Sequence, residues 1–76
     1  MEELVRTIAQ ALVDNPDAVD VRTIEEDDAV VIELRVADSD MGKVIGKQGR
    51  IAKAMRTVVK AVATRENKRV SVEILQ

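Results

Sequence analysis

Asp40-Met41-Gly42-Lys43-Val44-Ile45-Gly46-Lys47-Gln48-Gly49-Arg50-Ile51-Ala52 decides how the rest of this 76-residue chain is read. It holds all three glycines of the sequence. Asp38, Ser39 and Asp40 offer side-chain oxygens suited to an N-cap, so a short helix is expected to begin near Met41 and to stop at Gly46. After Gly49, Ile51, Met55, Val58, Val59 and Val62 recur at helical spacing, which predicts a longer helix ending near Thr64. Between the two helices the chain must reverse across Gly46–Gly49. Glycine permits positive φ there and lets another molecule approach the backbone closely. A helix C-cap at Gly46 and a turn at Gly49 account for the glycines alone. They give no reason for Lys47 at the tip or for cations on both flanks.

The flanking sequence supplies a sheet. Toward the N-terminus, Leu4, Val5, Ile8, Ala9, Leu12 and Val13 predict a helix, which Asp14-Asn15-Pro16 stops, because the residue before a proline is pushed out of the α region. Val19, Val21 and Thr23 alternate with polar residues as a strand, and Glu25-Glu26-Asp27-Asp28 reads as the connecting turn. Val30, Ile32, Leu34 and Val36 form a half-buried strand, paired with the previous one as an antiparallel hairpin. Beyond the long helix, Glu66-Asn67-Lys68 is a loop, and Val70, Val72 and Ile74 mark a last strand. The predicted order is α-β-β-α-α-β, an α+β fold in a single domain over residues 1–76. The second and third strands are joined through two helices, so they should be parallel with a right-handed crossover. The expected sheet is three-stranded and mixed, with Val30–Val36 central and three helices on one face. Ile32 and Val58 are both read as core, each costing roughly 2–4 kcal/mol on truncation to Ala.

Charge is distributed unevenly. The formal net charge is −2, but residues 1–40 hold three cations against twelve anions, a net of −9. Residues 41–69 hold nine cations against the single anion Glu66, a net of +8. That segregation points to an anion-binding face around the glycine loop. There is no Cys, His, Phe, Trp or Tyr. Disulfide frameworks, thiolate metal sites, Cys nucleophiles and Ser-His-Asp hydrolases are thereby excluded. Neither a metal nor a cofactor is expected. Glu25, Glu26, Asp27 and Asp28 form a solvated turn without a pocket, so no catalytic residue is assigned and the chain is read as a non-enzyme. Asp38 and Asp40 are read as capping residues. No apolar run approaches the roughly 18 residues of a membrane span. Glu2 and Glu3 stand where a signal peptide would be basic, so a cytoplasmic protein is expected.

A nucleotide-binding P-loop requires G-x-x-x-x-G-K-[ST]. Gly42 to Gly46 is one residue short of that spacing, and Gln48 stands where the hydroxyl should be. Val44-Ile45-Gly46-Lys47-Gln48-Gly49-Arg50-Ile51 instead resembles the V-I-G-x-x-G-x-x-I signature of KH domains, and the element order resembles their type II form. Small size and the run Asp40–Ala52 resemble the bacterial single-KH RNA-binding proteins of the KhpA family. The resemblance covers essentially the whole chain. It implies a binder of single-stranded RNA, about four nucleotides per domain, with the GxxG loop clamping the backbone. It further implies an RNA chaperone or post-transcriptional regulator that self-associates or pairs with a larger KH-containing bacterial protein.

The residues support that mechanism on their own terms. Backbone N–H groups of Gly46–Gly49 and the N-terminus of the next helix favour an anion. Lys47 adds a charge, and Gln48 can hydrogen-bond a phosphate or sugar oxygen. On the long helix, Gly49, Ala52, Lys53 and Arg56 share a face, with Ala52 small enough for a base to pack over it. Arg50 and Lys60 flank that face. Gly42, Lys43 and Ile45 resemble groove positions of the family, although Ile45 reads equally well as core. The backbone of Val70–Val72 is, by resemblance, available to a base edge. Arg65, Lys68 and Arg69 fall in a short variable loop expected to clamp weakly. Without aromatic rings the chain cannot stack bases as RRM, cold-shock and OB-fold binders do, so a lone copy should bind weakly. Two alternatives stand beside this reading: a protein-interaction or dimerisation module using the segregated charge, and a binder of single-stranded DNA.

Overall fold

Helix α1, Glu2–Leu12, forms because its apolar residues recur on one side. Val5 and Ala9 are completely buried, and Leu4, Ile8 and Leu12 pack partly buried against the same core. The structure, a computed structural model, describes residues 1–75. Glu2 and Glu3 occupy the first turn of α1, where the helix dipole favours negative charge, and Arg6 reaches back to pair with both. Glu2 also accepts a hydrogen bond from the Thr23 hydroxyl at 2.6 Å, which fastens the start of α1 to the sheet. That hydroxyl and Arg6 hold the Glu2 carboxyl below its ordinary pKa. Pro16 opens a 3₁₀ turn, Pro16–Ala18, that leads into the sheet.

Strands β1 (Asp20–Glu26), β2 (Ala29–Arg35) and β3 (Arg69–Leu75) lie in the order β1-β2-β3. β1 and β2 are antiparallel; β2 and β3 are parallel, with Ile32 opposite Val72. The crossover between them contains α2 (Met41–Ile45) and α3 (Arg50–Arg65). The expected α-β-β-α-α-β fold with a central second strand is therefore present. Alternation along the strands decides which face the helices cover. Ile32, Leu34, Val21 and Val72 are buried against Val5, Val44, Met55 and Val59. Arg22, Glu33, Arg35 and Glu73 lie on the opposite face, together with Val31 and Ile24.

Four local readings change. β1 runs on through Glu25 and Glu26, so the turn is only Asp27-Asp28, with Asp27 at φ 31°. The alternating pattern gives no end signal there, because an edge strand tolerates charge on both faces. Val19 precedes the strand and packs, partly buried, against the core. Val58 is 45% exposed, whereas Val59 is 1% exposed. Successive helical residues point about 100° apart, so only one of two adjacent valines can face the sheet. Truncation leaves a cavity at Val59 or Ile32, and none at Val58. Finally, neither Asp38 nor Asp40 makes a side-chain cap bond; Asp40 is buried and serves another purpose.

The far end of α3 closes in a Schellman turn. Lys68 N–H donates to Ala63 O at 2.9 Å and Asn67 N–H to Thr64 O at 3.1 Å, with Asn67 at φ 59°. Asn is the non-glycine residue that accepts this conformation most readily, and the turn delivers Lys68 and Arg69 to the start of β3.

Candidate nucleic-acid interface

Gly46 ends α2, its N–H donating to Gly42 O at 2.8 Å, in an extended positive-φ conformation (φ 76°, ψ 176°) open essentially to glycine alone. Gln48 (φ 58°) and Gly49 (φ 72°) follow in left-handed conformations, and Gly49 N–H bonds Gly46 O at 3.2 Å. This chain reversal lifts Lys47 and Gln48 into solvent, where both are exposed. α3 then starts at Arg50 with no side-chain cap. Arg50 N–H donates back to Lys47 O, and the N–H groups that follow it in the first turn carry the positive end of the helix dipole toward the same loop. Arg50, also exposed, donates from its guanidinium to the side-chain amide oxygen of Gln48 at 3.5 Å.

From the loop a basic strip continues along α3. Lys53, Arg56 and Lys60 recur at helical spacing on one exposed side, facing the open edge of β3. Arg56 spans that seam, its Nε donating to Val72 O at 3.1 Å. Past it lies a cleft of about 480 Å³, with Val30, Ala63 and Val70 as floor and Lys60, Lys68 and Arg69 as rim. Lys68 and Arg69 are thus built into a concave surface beside the strip. Their sequence context, a short polar loop, gave no sign of this, because the cleft depends on a turn that brings α3 and β3 together.

Two expected site residues, Lys43 and Ala52, sit differently, and for Ile45 the structure removes the core alternative. Lys43 Nζ pairs with Asp14 at 2.8 Å and lies 3.5 Å from Asp40, so two carboxylates already match its charge. The Asp14 bond, above all, raises the Lys43 pKa. Ala52 is 4% exposed and faces inward, so the base-stacking surface expected of its methyl is closed. Ile45 is 36% exposed beside Gly46 and is no core residue. Gly42 is exposed on α2 with open space around it.

Asp40 is the functional support that sequence reasoning missed. Its completely buried carboxylate accepts the backbone N–H of Asp14 (3.2 Å) and of Asn15 (3.0 Å), and the Asn15 side-chain amide (3.0 Å). Burial pushes its pKa up, but the Asn15 and Asp14 hydrogen bonds and the Lys43 charge outweigh it and hold the group below its ordinary value. The result locks the base of α2, and so the glycine loop, to the end of α1.

Two helices joined by a GxxG turn and seated beside the free edge of a mixed three-stranded sheet define a KH domain. Comparison with known proteins narrows the class. A family model described as the KhpA/KhpB KH domain matches residues 2–74. The RNA-binding protein KhpA of Caldanaerobacter subterraneus subsp. tengcongensis is 67% identical over 75 residues, covering 99% of this chain and all of the relative. The protein of the same name from Clostridium acetobutylicum is 60% identical over the same share of each chain. The chain belongs to the KhpA/KhpB KH-domain family. Among solved structures, Era of Aquifex aeolicus bound to GDP·AlF4⁻ superposes with a TM-score of 0.65 at 24% identity, a likeness of fold. Era in complex with MgGDPNP and nucleotides 1506–1542 of 16S ribosomal RNA superposes with a TM-score of 0.57 at 25% identity. Each match covers 96% of this chain and 28% of the Era chain. No helix among the described residues is long and apolar enough to cross a membrane.

Proposed function

We propose that this chain binds single-stranded RNA, with the backbone clamped at Gly46–Gly49 and the strand running along α3 toward the cleft at its far end. The observation that carries this reading is the continuity of one surface. The N-terminus of α3, which has no side-chain cap, Lys47 at the loop tip, and Lys53, Arg56 and Lys60 form an unbroken cationic path beside an open strand edge. The names of its relatives and the RNA-bound Era structure support it. About four nucleotides would occupy one domain. Gly46, Lys47, Gln48, Gly49, Arg50, Lys53 and Arg56 are the proposed contacts, with Ile45 and Gly42 at the margin of the groove. Lys43 and Ala52 act from behind, by holding α2 and seating α3.

The role is that of a binding module rather than an enzyme, acting in the cytoplasm as an RNA chaperone or post-transcriptional regulator. Because no aromatic ring contributes stacking, one copy binds weakly. Pairing with a second copy, or with a larger KH-containing protein, raises affinity through effective concentration. The joint KhpA/KhpB description of the family supports such a partner.

A salt titration tests this reading. With four or five cations on phosphates and a slope near −0.7 per contact for single strands, the logarithm of affinity should fall against the logarithm of salt concentration with a slope of about −3. Fluorescence anisotropy of a labelled oligoribonucleotide measures it. A flat response would exclude the basic path as the binding surface.

A further inference from the structure

At the far end of α3 two surfaces of opposite charge meet. The first is the cleft of about 480 Å³, a volume within the roughly 300–1,000 Å³ of small-ligand sites. Val30, Ala63 and Val70 give it an apolar floor, and Lys60, Lys68 and Arg69, all exposed, line it. Among the described residues none of these three cations pairs with a carboxylate. The second surface is the β1–β2 turn. Glu25, Asp27 and Asp28 border a neighbouring hollow that also reaches Lys68. They too are exposed and without an ion pair among the described residues. A polyanion arriving along Lys53, Arg56 and Lys60 therefore finds cations as far as the cleft. Beyond it the next phosphate would stand beside carboxylates, and like charges repel. The basic path has a closed end. With 16 residues α3 is about 24 Å long, so this end and the Gly46–Gly49 clamp would hold separate parts of one strand.

We propose that the cleft takes the terminal nucleotide of the RNA, with its apolar parts on Val30, Ala63 and Val70 and a terminal phosphate met by Lys60, Lys68 and Arg69, so that the domain selects a phosphorylated RNA end. A phosphomonoester carries a charge of about −1.5 to −2 at pH 7 and presents three acceptor oxygens. A phosphodiester inside the strand carries a single charge and presents fewer free oxygens. Three converging cations without carboxylate partners suit the first better than the second. The acidic turn adds the exclusion, because a strand that continued past the cleft would have to cross it. The inference rests on the RNA-binding reading and names the part of the strand that is held.

Three unlabelled oligouridylates with equal numbers of phosphates provide the test, each competing with a labelled strand at one salt concentration. They are an octamer with a 5′-phosphate, an octamer with a 3′-phosphate, and a nonamer with hydroxyl groups at both ends. One phosphorylated octamer, selected by the direction in which the strand lies, should bind about tenfold more tightly than the nonamer, the strength of one hydrogen bond to a charged group. Lys68→Gln combined with Arg69→Gln should abolish that preference, while affinity for the nonamer falls by no more than about fivefold, as for exposed charges. Both side chains are exposed and the Schellman turn uses only the Lys68 backbone, so the fold should persist, which a thermal unfolding curve checks. Should the double variant not fold, Lys60→Gln lowers the preference by the same route. Equal binding of all three strands by the unsubstituted protein overturns the inference. So does an equal gain from either phosphate, which reports added charge and no fixed end, and so does a preference that survives in the double variant. Failure of all three strands to bind overturns the RNA reading itself.

Discussion

Replacing Lys47 and Gln48 together with Asp is expected to weaken single-stranded RNA binding by at least about 100-fold and to leave stability unchanged. The double variant changes the charge at the loop tip by three units, at the point where phosphate meets the N-terminus of α3. At about 1 kcal/mol per charge for contacts in water, the sum is about 3 kcal/mol, a factor of 100 or more. The fold has no reason to suffer. Both side chains are exposed, Gln48 already holds a left-handed conformation at φ 58°, and Asp accepts that conformation better than Gln does. New negative charge beside a helix N-terminus is also favourable to the helix. Loss of affinity in a protein with an unchanged unfolding midpoint would therefore report the contact itself. Affinity within twofold of the unsubstituted protein would remove the loop from the binding site.

Gly46→Ala should destabilise the domain by about 2–4 kcal/mol, a large part of the total expected for a chain of this length. Two causes combine. The backbone at φ 76° and ψ 176° is one that residues with a Cβ rarely adopt. A Cβ placed there would stand 2.6 Å from Ile51 Cγ1 and 3.0 Å from Ile51 Cβ. Ile51 is β-branched in the first turn of α3 and has one favoured rotamer, so it cannot swing clear without moving the helix. Gly42 gives the control. It lies inside α2, and a methyl added to it would meet nothing within 4 Å, so Gly42→Ala should be neutral or stabilise by up to about 1 kcal/mol. Urea unfolding of the two variants distinguishes them; equal midpoints would mean that the loop does not need its glycine.

The glycine loop was legible because glycines with a lysine between them, after one helical pattern and before another, have few structural solutions. The strands were legible because valine and isoleucine alternate at a period of two. What the sequence hid depends on contacts distant along the chain. Asp40 looks like an N-cap, since its role is fixed by Asp14 and Asn15, 26 and 25 positions away. Lys43 looks like a free groove cation until the same fold brings Asp14 to it. Val58 and Val59 are equivalent by composition, and only the phase of α3 on the sheet separates them. Arg56 and Val72 are 16 positions apart, and their bond follows from the parallel crossover. The left-handed φ of Gln48 has no signal in residue type, because glutamine carries no preference for it.

The proposed RNA surface is formed by the glycine loop, the exposed side of α3 and the edge of β3. Its most direct test is a titration of isotope-labelled protein with a short single-stranded oligoribonucleotide, following each backbone amide by NMR. The largest shifts are expected at Gly46–Arg50, with further shifts at Lys53, Arg56 and Val72, and none at Arg22 or Glu33 on the opposite face of the sheet. Shifts concentrated on that opposite face, with the loop amides unmoved, would contradict it.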